Sequence, residues 1–312
     1  MNQQNIDALV EKAKKLETIR DASTTDRKAL GFFTRLLLLT TLPHTDPKDT
    51  EVYTTHNGQY HLGIRSGYDL ENDNKKYGIP FGIYPRLLLA FICKEVVMKK
   101  SKTIQLGQSL NQFMEKLGIT PSYDGKKKGS ISRLRNQMDR LFYADIMVKR
   151  VEKTEFSKKS SSLKYQIIDG MQTEEIYFWD KKTHPDQQHI FDTSITLSDA
   201  FFEEISNHPV PIDLDILSAI KKSPLAIDLY LFFTYNSFNM KKKIEVSWES
   251  LHQQFGAEYK EVKYFTREAK KHLKTICVLY PDLQIEHSYG KISILPTSMP
   301  SVKMKMWITL VD

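Results

Sequence analysis

The chain has 312 residues, 40% of them hydrophobic and 27% charged, which suits a soluble globular protein of one large domain or two ordinary ones. Its net charge of +7 and pI near 9.0 favour a polyanionic partner without separating DNA from RNA or an anionic membrane. Cys93 and Cys277 are the only cysteines and each sits in an apolar stretch, so they read as buried free thiols of a reducing cytosol rather than a disulfide or metal site.

The first residues, MNQQNIDALVEKAKKLETIRD, hold no apolar h-region and exclude a secretory signal. The longest apolar runs, such as Leu87 to Cys93, are too short to span a bilayer, so the chain reads as cytoplasmic with no membrane partner. Residues 1–28 read as a flexible, at most weakly helical segment. GFFTRLLLLTTLP (31–43) is apolar and then broken by proline. Residues 50–77 are polar and turn-rich, and the alternation in YHLGIR suggests a small hairpin. YPRLLLAFICKEVVM (84–98) predicts a core helix, apolar nearly all round, with Pro85 at its first position. A short strand, TIQL (103–106), follows. SLNQFMEKLG (109–118) predicts a second helix capped by Ser109 and stopped at Gly118. A third runs from about residue 130 to 143. Three strands follow, over 144–153, 162–169 and 174–180; TEFSKKSSS joins the first two and puts Lys158 and Lys159 at a hairpin tip. A strand and helix over 193–206 lead to HPVPID (208–213), the expected domain boundary.

The order then repeats. SPLAIDLYLFFTY (223–235) is a core helix with Ser223 as cap and Pro224 at the first position. IEV (244–246) is a strand, SWESLHQQFG (247–256) a second helix, and residues 259–279 a third. LQIEH–SYG–KISIL (283–295) is a final hairpin, with Tyr289 to Lys291 at its tip. Helix, strand, helix, helix, hairpin is the order of a winged helix. Its repetition predicts an α+β chain of two tandem winged-helix domains with antiparallel β-hairpin wings, over 29–207 and 208–312.

The two third helices carry the functional argument. In the first, Ile131, Leu134, Met138, Leu141 and Phe142 share one face and should pack on the domain. Arg133, Asn136 and Arg140 point the other way, bordered by Ser130, Ser132 and Gln137, with Arg135 flanking the apolar seam. Arg and Asn are the side chains that read guanine and adenine edges in the major groove. Lys126, Lys127 and Lys128, with the amides near Gly129 and Ser130, suit a phosphate clamp. In the second, Val262, Phe265, Ala269, Leu273 and Ile276 form the core face. Lys260, Lys263, Arg267, Lys270, Lys271 and Lys274 lie on another, with Glu261 and Glu268 outside that arc. A helix that needs only solubility intersperses acids for pairing four residues apart. Both basic helices sit at the recognition position of a helix-turn-helix pattern, so both read as DNA-recognition helices. Lys158, Lys159 and Lys291 are candidate wing contacts, and an ordinary polar turn is an equal alternative for each tip.

Catalytic chemistry finds little support. Residues 118–127 hold six residues between glycines and lack Ser or Thr after the lysine, so they are not a P-loop. The sequence has no Cys-x-x-Cys, His-x-His or His-Glu-x-x-His, so no metal site and no cofactor is expected. His184 and His189 read as solvated, and Asp213 and Asp215 as acids at a helix N-terminus.

Segments along most of the chain resemble plasmid-encoded RepA-type replication initiators. They are TLPHTDP (41–47), YGIPFGIYPRLLLA (77–90), LGQSLNQFMEKLG (106–118), GSISRLRNQMDRLF (129–142), PIDL (211–214), KSPLAIDLY (222–230), SWESLHQQFG (247–256) and VLYPDL (278–283), in order from about residue 29 to 297. The resemblance implies a non-enzymatic initiator that binds repeated sites in double-stranded origin DNA and helps open adjacent AT-rich DNA. It also implies recruitment of host replication initiator and helicase proteins, and a homodimer-to-monomer switch. Where many members have Gly-Gly-Arg before the third helix, this chain has DGKKKG (124–129), which keeps charge without the bidentate guanidinium. A winged-helix transcriptional regulator, an autorepressor of a plasmid operon, would use the same surface. A nicking enzyme lacks its histidine pair, and a scaffold would leave both basic stripes unused.

Overall fold

A computed structural model of the protein describes residues 29–69, 75–122, 129–153, 158–169, 193–238, 240–256 and 258–302. The segment 1–28, the strand expected over 174–180 and Lys126 to Lys128 lie outside them. In chain order the elements are β1 (Leu30–Thr34), α1 (Arg35–Leu39), β2 (Val52–Asn57), β3 (Tyr60–Arg65), β4 (Tyr68–Asp69), β5 (Lys75–Lys76), α2 (Ile83–Lys99), β6 (Thr103–Gly107), α3 (Leu110–Lys116), α4 (Ser130–Phe142), β7 (Asp145–Lys153) and β8 (Lys158–Tyr165). They continue with β9 (Thr193–Thr196), α5 (Asp199–Asn207), β10 (Pro209–Asp213), α6 (Leu214–Ile220), α7 (Pro224–Ser237), β11 (Ile244–Ser247), α8 (Trp248–Phe255), α9 (Val262–Leu279), β12 (Ile285–Ser288) and β13 (Lys291–Ile294). This mixture of helix and sheet divides into two compact units, residues 34–209 and residues 210–302 with 29–33. The division departs from the expected 29–207 at both ends, its later boundary falling after Pro209. Leu30 to Phe33 belong with the C-terminal unit, because β1 pairs with β10 and the Leu214 amide donates to Ala29 O at 2.8 Å.

In the C-terminal unit α7 is buried on nearly every side, from Leu225 to Thr234, which is why its sequence lacks a polar stripe. Ser223 Oγ caps it, accepting from the Ala226 amide at 3.2 Å, and Pro224 takes the first position. Asp213 caps α6 in the same way, its carboxylate accepting from the amides of Asp215 and Ile216 at 2.9 and 3.1 Å. α9 packs Phe265, Ala269, Leu273, Ile276 and Leu279 inward. The three-stranded antiparallel sheet has the order β11-β13-β12. β12 and β13 close on Tyr289 and Gly290, whose φ of +69° suits a residue without a Cβ.

The N-terminal unit repeats the order α2, β6, α3, α4, β7, β8 but not the strand pairing. Here the hairpin β7-β8 extends a sheet of order β2-β3-β7-β8, while β6 pairs with β9. A bridge between Ile168 and Leu197 joins the end of β8 to β9. α3 is capped by Ser109, which accepts from the Gln112 amide at 3.3 Å, and the chain leaves it through Gly118 at φ +65°. β8 begins at Lys158, earlier than expected, so Lys158 and Lys159 lie in the strand, opposite Lys153 and Glu152.

Arg86, 1% exposed, organises the segment before α2. Its guanidinium donates to Gly82 O at 2.7 Å, Leu42 O at 2.8 Å, Thr41 Oγ1 at 3.0 Å and Pro43 O at 3.3 Å. Its planar fork reaches several carbonyls at once, which an ammonium cannot do. The Gly82 amide also donates to Pro43 O at 3.0 Å. The stretches 41–47 and 77–86, distant in sequence, thereby become one platform.

Candidate nucleic-acid interface

α4 buries the five apolar residues expected of it, and Gln137 as well. Gln137 does not border an open reading face. Its Oε1 accepts from the Phe81 amide at 2.9 Å, because the 77–84 segment covers that flank of the helix. Arg140 likewise departs from the expected outward arc. Only 14% exposed, it grips Asp46 with two hydrogen bonds of 3.0 and 3.1 Å, donates to Ile79 O at 3.1 Å and stacks on Phe81 at 5.0 Å. A Cβ on Gly78 would come within 2.8 Å of that guanidinium. In this structure, then, Arg140 ties helix to platform rather than facing solvent.

Arg133 and Asn136 are exposed, and Ser132 and Arg135 half-buried beside them. Arg133 reaches Tyr84. Burial raises the pKa of the Tyr84 phenol, and the charge and hydrogen bond of Arg133 partly oppose that. Ser130 is tied to Ser122. Its amide donates to Ser122 Oγ at 3.0 Å, and its hydroxyl accepts from the Ser122 amide at 2.7 Å and donates to Thr120 O at 2.9 Å. The Ile131 amide also points at Ser122 O, at 3.5 Å. The first amides expected to cradle a phosphate are therefore already engaged.

α9 is different. Lys263, Arg267, Lys270, Lys271 and Lys274 are all exposed along it, and Lys260 is exposed just ahead of it, since the helix begins at Val262 and not at Tyr259. No side chain caps its N-terminus. The acids lie close by: Glu261 pairs with Lys263 at 2.9 Å, and Glu268 with Arg267 and Lys271 at 3.6 and 3.5 Å. Such exposed pairs contribute about 0–1 kcal/mol each and yield readily to a polyanion.

Aromatic residues that the wheel of charges passed over support this face. Tyr264 lies beneath the cations of Lys263 and Arg267, at 4.9 and 5.6 Å. Lys270 sits over the buried Trp248 at 5.5 Å, and His287 of β12 stacks on the same indole at 6.1 Å. The Trp248 amide donates to Gly290 O at 3.0 Å, so the hairpin is pinned to the start of α8. Burial, then the charges of Lys270 and Lys274, lower the basicity of His287. Lys291 is exposed and pairs with Glu245 at 3.4 Å, and Tyr289 at the turn is fully exposed. Lys159 is exposed on β8. Tyr264 could have been found from the sequence, since it falls at the edge of the basic arc. The Arg86 and Arg140 contacts bridge segments tens of residues apart and left no local signal.

Among the described residues no group of three or more His, Cys, Asp or Glu could hold a metal ion, and no helix is long and apolar enough to cross a membrane.

The profile of a family described as "Plasmid encoded RepA protein" matches residues 79–250, from the platform through α4 to the start of α8. α9 lies beyond the matched segment. No curated protein matches the chain. Among solved structures, a crystal structure of RctB domains 2–3 is similar at 13% identity, covering 83% of this chain and 94% of that one with a TM-score of 0.46. With more than half of its length matched, the chain belongs to the plasmid-encoded RepA family.

Proposed function

We propose that the protein is a plasmid replication initiator that binds repeated sites in double-stranded origin DNA through two winged-helix domains. The observation that carries this reading is the run of five exposed cations on α9, backed by Tyr264 and Trp248, on the helix that leads into the β12-β13 hairpin. A helix of this kind fits the major groove, and a basic, aromatic-backed face suits phosphates and base edges together. The sheet order β11-β13-β12 supports a winged helix in the C-terminal unit, with Tyr289 and Lys291 at the wing. In the N-terminal unit Ser132, Arg133, Arg135 and Asn136 are the residues of α4 left to meet DNA, with Lys126, Lys127 and Lys128 as phosphate contacts. The protein acts by binding alone, without catalysis or cofactor. Opening of adjacent AT-rich DNA, recruitment of host initiator and helicase proteins, and a dimer-to-monomer switch complete the role.

The test is a DNase footprint of the full chain on its own replicon's DNA flanking the gene, at low and near-physiological salt. Protection over tandem repeats that survives the higher salt is expected. Smeared protection that vanishes with salt would reduce the protein to a generic polyanion binder.

A further inference from the structure

Tyr264 is 42% exposed in the first turn of α9, while its neighbour Phe265 is fully buried. A tyrosine half in water is ordinary by itself; what sets Tyr264 apart is the company its ring keeps. Tyr264 does not extend the core. Its ring lies instead among the cations, with Lys263 Nζ 4.9 Å and Arg267 Cζ 5.6 Å from its centroid. Arg267 is 71% exposed and also pairs with Glu268 at 3.6 Å.

This arrangement has two chemical consequences. The aromatic face restrains a long, otherwise mobile guanidinium, whose planar fork then meets an acceptor pair with less ordering cost. The ring edge also presents apolar surface beside that fork. In the major groove an arginine pairs bidentately with the O6 and N7 acceptors of guanine, and the apolar feature of the base edges is the thymine methyl. Recognition helices place their N-terminal residues against bases, and Tyr264 and Arg267 lie within the first two turns of α9.

We propose that Tyr264 and Arg267 act as one reader of double-stranded DNA, Arg267 pairing with a guanine while the Tyr264 ring packs on the 5-methyl group of the adjacent thymine. The assignment rests on α9 being a DNA-recognition helix. It adds a specificity-determining residue and the dinucleotide that this residue reads.

The experiment starts with selection of duplexes from a randomised library by the full chain. In the selected duplex each thymine is then replaced, one at a time, by deoxyuridine, which removes the methyl group and nothing else. Affinities are measured by fluorescence anisotropy for the wild type, Tyr264→Ala and Tyr264→Phe. One thymine next to a guanine should show a loss of about fourfold in the wild type on methyl removal, the worth of one buried methyl group. Tyr264→Phe should keep that difference. Tyr264→Ala should bind both duplexes alike, and Arg267→Ala should lose preference for the neighbouring guanine. A wild type indifferent to every methyl group, or an alanine variant that keeps the full difference, overturns the proposal while leaving the origin-binding reading intact. A selection that enriches no sequence overturns both.

Discussion

Replacing Arg86 by methionine tests whether the platform of residues 41–47 and 77–86 is held by one buried guanidinium. The residue donates four hydrogen bonds of 2.7 to 3.3 Å and is 1% exposed. Bonds from a charged donor contribute about 1.5–3 kcal/mol each, so the gross loss is about 6 kcal/mol or more. Several terms offset it. Pro43 O keeps the Gly82 amide at 3.0 Å, and Leu42 O keeps the Thr41 hydroxyl at 3.2 Å. Methionine returns about 1.5–3 kcal/mol of apolar burial, and desolvation of the charge is no longer required. The net expectation is a loss of about 3 kcal/mol, read as a lower urea midpoint at unchanged slope by circular dichroism. Arg86→Lys should recover little, because an ammonium cannot span carbonyls on both sides of the fork. A methionine variant within about 1 kcal/mol of wild type would refute the platform argument.

Glu204 offers a pH test: burial raises its pKa, against the smaller opposing effects of Arg35 and the Leu36 amide. The folded state then holds the proton more tightly than the unfolded one, so this group's contribution to stability falls as pH rises from the unfolded value through the folded one. Glu204→Gln should therefore be the more stable protein at neutral pH, with an advantage that shrinks on acidification; thermal melts across pH showing a neutral-pH loss would contradict this. Cys93 is fully buried, its thiol pushed far up by burial and next by the Glu204 carboxylate, and burial pushes Cys277 up to about 11. Against the sequence expectation Cys277 is only half-buried, so Cys93 should not react with a thiol reagent at neutral pH until urea is added, whereas Cys277 should react slowly in the native protein; rapid release of two equivalents without urea would contradict this. Arg267→Ala or Arg133→Ala should erode preference for the selected site over random DNA, whereas Lys127→Ala should weaken both alike. Equal losses on both DNAs for all three variants would end the division into readers and clamps.

Local periodicity made much of the fold legible. The caps at Ser109 and Ser223, the helix opening at Asp213, the all-apolar helices α2 and α7 and the core face of α4 follow from residue spacing alone, as does that of α9 apart from Val262, which is only half-buried. Strand pairing did not. Nothing in TIQL announces that β6 pairs with β9, or in GFFT that β1 joins β10, because pairing depends on partners far along the chain. The same limit governed the site. On a helical wheel Arg140 lies beside Asn136, and only the fold brings Asp46, Ile79 and Phe81 to it. Gln137, polar and near the expected reading arc, is buried by an amide 56 positions away in the chain.

Under the proposed DNA-binding reading, these contacts make the two helices unequal. On α4, Arg140 is committed to Asp46 and only Arg133 and Asn136 are fully presented. On α9, five cations remain exposed, and the carboxylates nearby engage them only at the surface. Counterion release scales with the number of phosphates neutralised, roughly 0.9 of a salt exponent for each in duplex DNA. On that reading α9 should supply more of the salt-dependent affinity than α4 itself, with Lys126, Lys127 and Lys128 adding to the share of the N-terminal unit. The part proposed for α4 is discrimination through Arg133 and Asn136, beside that proposed for Tyr264 and Arg267 on α9.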